Sequence, residues 1–92
     1  ELITKALSLM PDDAFIMDSL GWVLFRQGEL PESLKTLEKA YSIKADPEIA
    51  AHIGEVLWAM ERKDDARHIL KDAAKQFPDS EAIKGTIKKL QP

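Results

Sequence analysis

If this sequence performs chemistry, it has to start from His52 and Glu55. The two lie three residues apart in "AAHIGEVLWAM". A helix there sets an imidazole and a carboxylate on one face, within reach of a common metal ion. A zinc site needs three or four such ligands. The chain has no cysteine and one further histidine, His68, which falls on a different predicted helix. There is no nucleophile spaced to meet a base, no glycine-rich phosphate loop and no H-E-x-x-H motif. His52 and Glu55 therefore read as part of a polar helix face. The chain is expected to be non-catalytic, with neither metal nor cofactor.

Bulk properties narrow the classes further. The 92 residues carry a formal net charge of −3, with 45% hydrophobic and 32% charged residues. That is the composition of one small helical domain, or of a piece of a larger protein. Lys84, Lys88 and Lys89 make a small basic cluster near the end. On an acidic chain such a cluster is a solubilising face, so no nucleic acid partner is expected. No apolar run is long enough to cross a bilayer, so direct membrane insertion is not expected either. Glu1 opens the chain already in a helical pattern, which suggests a piece of a longer protein. A leader peptide would then lie outside it, and the compartment, cytoplasm or bacterial cell envelope, stays open.

The elements that would hold these residues come from an internal repeat. Sliding the sequence by 33 residues brings Ile16 onto Ile49, Gly21 onto Gly54, Val23 and Leu24 onto Val56 and Leu57, Leu37 onto Leu70, and Ala40 onto Ala73. Each unit reads as two helices. In the first, Ile16, Leu20, Val23 and Leu24 recur near the helical period after Asp12 or Asp13 as a cap. Gly28 can end that helix in the left-handed conformation, and Pro31 suits the start of the next. Leu34, Leu37, Ala40 and Tyr41 form the stripe of the second helix. The second unit repeats the plan from Asp46 and Pro47, with Asp64 or Asp65 opening its second helix and Pro78 stopping it. Upstream, Leu2, Ile3, Ala6, Leu7 and Met10 share a face, like the second helix of a preceding unit. Downstream, Asp79 or Ser80 caps a helix with Ile83, Ile87 and Leu90 on one side and lysines on the other.

These residues resemble the tetratricopeptide repeat. The resemblance runs through Leu20, Gly21, Leu24, Gly28, Ser33, Leu37 and Ala40, and again through Ile53, Gly54, Leu57, Ala66, Leu70 and Ala73; Ala6 and Pro11 match the closing part of an earlier unit. It covers residues 1 to 78, and the wording is similar to C-terminal repeats of larger proteobacterial proteins, many of them exported to the envelope. Three departures stand out. Met17 and Ala50 replace the early tryptophan, Glu61 replaces the helix-ending glycine of the second unit, and the proline closing the first unit comes late, at Pro47. The resemblance implies an all-α, right-handed α-solenoid of antiparallel helix pairs with a C-terminal capping helix. The divisions would be a truncated upstream repeat at 1–11, repeats at 12–46 and 47–78, and the capping helix at 79–92.

A glycine inside a helix costs about 1 kcal/mol against alanine. The resemblance explains Gly21: its missing side chain lets two antiparallel helices approach closely. It also implies a concave groove lined by the first helix of each unit. The lining would be Phe15, Asp18, Ser19, Trp22, Phe25 and Arg26 from one unit, and Ala51, His52, Glu55 and Trp58 from the next. Trp22 near Arg26 and Asp18 would make an aromatic anchor with a charged rim. Some members of the family clamp a chaperone's C-terminal carboxylate with lysine and asparagine. The matching places here hold Asp18, Trp22, Ala51 and Glu55, which are acidic, aromatic or small and bring neither the lysine nor the asparagine of that clamp, so that ligand is not expected. The expected function is binding of a peptide or protein segment. The alternative is a structural tail that self-associates, forming a homodimer through the uncovered N-terminal helix around Leu2, Ile3 and Leu7.

Overall fold

The computed structural model describes residues 13–90. The expected helix from Leu2 to Met10, the early residues Pro11 and Asp12, and the final Gln91 and Pro92 lie outside the described residues. Within them are α1 (Ala14–Arg26), α2 (Leu30–Ile43), α3 (Pro47–Ala59), α4 (Lys63–Gln76) and α5 (Glu81–Leu90). The chain divides into two compact units, residues 1–45 and 46–92. The first holds the pair α1–α2, the second α3, α4 and α5.

Capping chemistry sets most of the starts. The Asp13 carboxylate accepts the backbone N–H groups of Phe15 and Ile16 at 2.9 and 3.1 Å. Asp46 accepts from Glu48 at 2.9 Å, and the Ser80 hydroxyl accepts from Ile83 at 3.3 Å. Each satisfies donors that the first turn of a helix leaves unpaired. α4 departs from expectation. It begins at Lys63, with Arg62 at the cap position and no side-chain cap. Asp64 and Asp65 lie inside the first turn, where negative charge favours the helix N-terminus, and they hold Arg67 and Arg62 at 2.9 and 3.0 Å.

The two interhelix turns share one geometry. Glu29 N–H reaches back to the Leu24 carbonyl at 2.9 Å and Gly28 N–H to Phe25 at 3.0 Å. In the second unit Arg62 N–H reaches Leu57 at 2.9 Å and Glu61 N–H reaches Trp58 at 3.1 Å. This is the Schellman pattern, which needs a left-handed residue just past the helix. Gly28 supplies it at φ 83°, and Glu61 supplies it at φ 64°. Only three residues then separate the helices, so each pair runs antiparallel.

Within the first unit, α1 buries Ala14, Met17, Asp18 and Gly21 and α2 buries Ser33, Leu34, Leu37 and Ala40. Gly21 is the contact point. A Cβ added to it would stand 2.6 Å from Leu37 Cγ, and Leu37 is fully enclosed. The Ser33 hydroxyl donates to the Gly21 carbonyl at 2.7 Å in the same place. The second unit repeats the notch: a Cβ on Gly54 would be 2.7 Å from Leu70 Cδ2. Met17 and Ala50, which stand in for the early tryptophan, are both buried. α3 is enclosed on two sides, by α4 and by α5, and so buries seven residues from Ile49 to Leu57. α5 contributes Ile83 and Thr86 to this core, while Ile87 and Leu90 are half-buried and Lys84, Lys88 and Lys89 are exposed. Thr86 was not legible as a core residue; the aliphatic stripe drew attention to its neighbours.

Candidate protein-interaction surface

On α1 the stripe Phe15, Ser19, Trp22 and Arg26 follows the helical spacing and runs beside the buried stripe. Phe15, Ser19 and Arg26 are exposed, and Trp22 and Phe25 are half-buried. The Trp22 and Phe25 rings stack with centroids 4.8 Å apart and planes 25° from parallel. That offset stack stiffens both rings and leaves an aromatic ledge one turn from the Arg26 guanidinium. At the other end of the stripe, Lys44, just past α2, places its Nζ 4.8 Å from the centre of the Phe15 ring.

Three expected lining residues sit elsewhere. Asp18 is 9% exposed and does not form a rim. It falls four residues after Ala14 and three before Gly21, on the side of α1 that turns inward. None of the described buried side-chain polar atoms lacks a hydrogen-bond partner, Asp18 included. Ala51 is buried because α3 is covered on two sides. Glu55 faces α5, where its carboxylate accepts Lys89 Nζ at 2.8 Å.

That ion pair bears directly on the His52–Glu55 face. With Glu55 held by Lys89, His52 is half-buried and makes a contact of its own. Among the described residues no three His, Asp or Glu side chains gather closely enough to hold a metal ion. His68 is exposed on α4. No described helix is long and apolar enough to cross a membrane.

Trp58, at the end of α3, is half-buried under two cations. Lys63 Nζ lies 5.1 Å and the Arg67 guanidinium 5.6 Å from its ring centre. Sequence reasoning passed over these cations, although a signal exists: Lys63 and Arg67 are four apart on the first turns of α4, across a short turn from Trp58. Chemically, the exposed parts of both units offer aromatic faces, guanidinium and ammonium groups. Aromatic rings and guanidinium groups are among the types enriched at protein interfaces.

The comparisons with known proteins agree with this architecture. A family model described as tetratricopeptide repeat matches residues 24–90. The TPR repeat-containing protein PA4667 of Pseudomonas aeruginosa (strain PAO1) is 49% identical over 55 residues, which cover 60% of this chain and 9% of that protein. The matched stretch thus spans less than a tenth of that relative's length. Repeats of this kind generally mediate contacts between proteins. With the helix pairs, the glycine notches and the family match all in agreement, the chain belongs to the tetratricopeptide repeat family.

Proposed function

We propose that the chain is a non-catalytic interaction module, and that α1 binds a peptide or protein segment along Phe15, Ser19, Trp22 and Arg26. One observation supports this most: the Trp22–Phe25 stack, half-open to solvent and one turn from an exposed arginine. Tryptophan, tyrosine and arginine dominate the energetics of protein interfaces, and a ring already held by its neighbour loses little freedom on binding. His52 and Trp58, both half-buried on α3, lie six residues apart and make no single patch, while Asp18 and Ala51 are buried and Glu55 is held by Lys89.

The test compares the chain with a Trp22→Ala, Arg26→Ala variant as baits in a lysate of the source organism, after circular dichroism shows both equally helical. A protein retained by the first and lost by the second supports the reading. Identical capture by both, or none by either, removes α1 as the binding surface.

A second reading rests on a separate observation. Phe15 and Ile43 are 52% and 43% exposed. They lie at the same end of the antiparallel pair, and exposed apolar groups of this size favour self-association. Sedimentation equilibrium over a range of concentrations decides it: a dimer abolished by Phe15→Ser with Ile43→Ser supports a self-associating tail, and a constant monomer mass refutes it.

A further inference from the structure

α1, α3 and α5 can be compared position by position from their capping side chains. The eighth residue onward is Gly21 after Asp13, Gly54 after Asp46 and Lys88 after Ser80. In α1 and α3 this is the notch that takes Leu37 or Leu70. In α5 an exposed lysine stands in the notch, so a second helix cannot dock there through a leucine. The preceding position is Ile53 in α3, which is 1% exposed, while Leu20 in α1 and Ile87 in α5 are half-buried. α5 thus keeps an apolar ledge beside α4. Arg67, Leu70, Lys71, Ala74 and Ile87 line a groove there of about 340 Å³.

The charges that line and flank this groove are mostly positive. Lys63, Arg67, Lys71 and Lys75 recur every four residues along α4, and Lys84 and Lys88 flank Ile87 on α5. Asp64 holds Arg67 at 2.9 Å and Glu81 lies 3.9 Å from Lys84. Among the described residues, Lys71, Lys75 and Lys88 form no ion pair. The chain as a whole carries a charge of −3, so these cations are gathered at one place against the overall balance.

We infer that the groove between α4 and α5 receives an acidic amphipathic helix from another protein. Its apolar stripe lies on the half-buried Ala74 and Ile87, and its carboxylates meet Lys71 and Lys88. Where α2 and α4 bring a leucine to a glycine, this ligand brings a carboxylate to a lysine. The aliphatic floor favours a helix over a nucleic acid strand, which needs aromatic faces for its bases.

The test uses a displayed library of helical peptides with a fixed leucine stripe and glutamate, lysine or glutamine varied beside it, selected on the 92-residue chain. Lys71→Glu with Lys88→Glu reverses the charge at two exposed positions, and circular dichroism and melting verify that the fold is kept. The expected binders carry glutamate beside the stripe. They weaken by about tenfold or more on charge reversal and in about 0.5 M salt. Trp22→Ala, on the other proposed surface, leaves them unchanged, so this inference and the proposed function can fail independently. The inference is overturned by any of several results: no binder recovered, binders without acidic flanks, binders indifferent to charge reversal, or tighter binding of a single-stranded oligonucleotide than of the peptides. A homodimer abolished by the same reversal would also overturn it, by giving the groove to a second copy.

Discussion

The Gly21 carbonyl accepts the Ser33 hydroxyl at 2.7 Å, and the bare Cα of the same glycine faces the enclosed side chain of Leu37. One residue of α1 therefore fixes α2 twice, by a missing side chain and by a backbone oxygen.

The notch has a measurable signature. Gly21→Leu overpacks it and costs about 1–3 kcal/mol. A cycle with alanine isolates the contact. Gly21→Ala gains helix propensity worth about 1 kcal/mol but puts a Cβ where Leu37 stands. In the Leu37→Ala background the clash is gone, and Gly21→Ala should turn neutral or stabilising. Urea denaturation of the four alanine-cycle proteins reads this; an equal cost of Gly21→Ala in both backgrounds would refute the account.

The hydrogen bond can be removed separately. Ser33→Ala should cost about 0.5–1.5 kcal/mol. The loss stays modest because the Gly21 carbonyl keeps its bond within α1. The second unit has Ala66 in this place and does without the bond. An unchanged midpoint for Ser33→Ala would show that the notch alone fixes the pair.

The two turns predict opposite signs for exchanged residues. Glu61 holds φ 64° without being glycine. Left-handed backbone costs an ordinary residue about 1–2 kcal/mol, so Glu61→Gly should stabilise by up to about 1 kcal/mol. Gly28→Ala should destabilise by a similar amount through its backbone alone, because nothing lies within 4 Å of the added Cβ. Thermal melts of both variants verify the signs, and a destabilised Glu61→Gly would mean that the carboxylate has a role the backbone does not explain.

The pair Glu55–Lys89 ties α5 to α3. The lysine is 66% exposed, so solvent screens the pair and Lys89→Ala should cost less than about 1 kcal/mol. The effect should shrink as salt rises. Amide exchange should quicken in α5 while α4 keeps its protection; uniform quickening would mean that α5 does not open by itself.

Much of this fold was legible because the 33-residue offset repeats its interior: Gly21 with Gly54 and Leu37 with Leu70 are one contact written twice. Caps were legible where the side chain is a small acceptor, as at Asp13 and Asp46. The surface was less legible. Asp18 looks like a rim residue by its charge, but its place between Ala14 and Gly21 turns it inward. Ala51 and Glu55 depend on α5 covering α3, which no pattern within α3 reveals. Asp64 and Asp65 suggested caps by type, but the turn set by Glu61 starts α4 one residue ahead of them.

A leucine seated in a glycine notch also works as a key in a lock. One turn along α1 in either direction stand Met17 and Phe25, whose side chains would meet Leu37 if α2 slid. Register is thus decided by an interior fit that no outward residue takes part in. Trp22, Arg26 and Lys71 stand in neither notch, so a substitution at any of them leaves the register of each helix pair where the glycine and leucine set it.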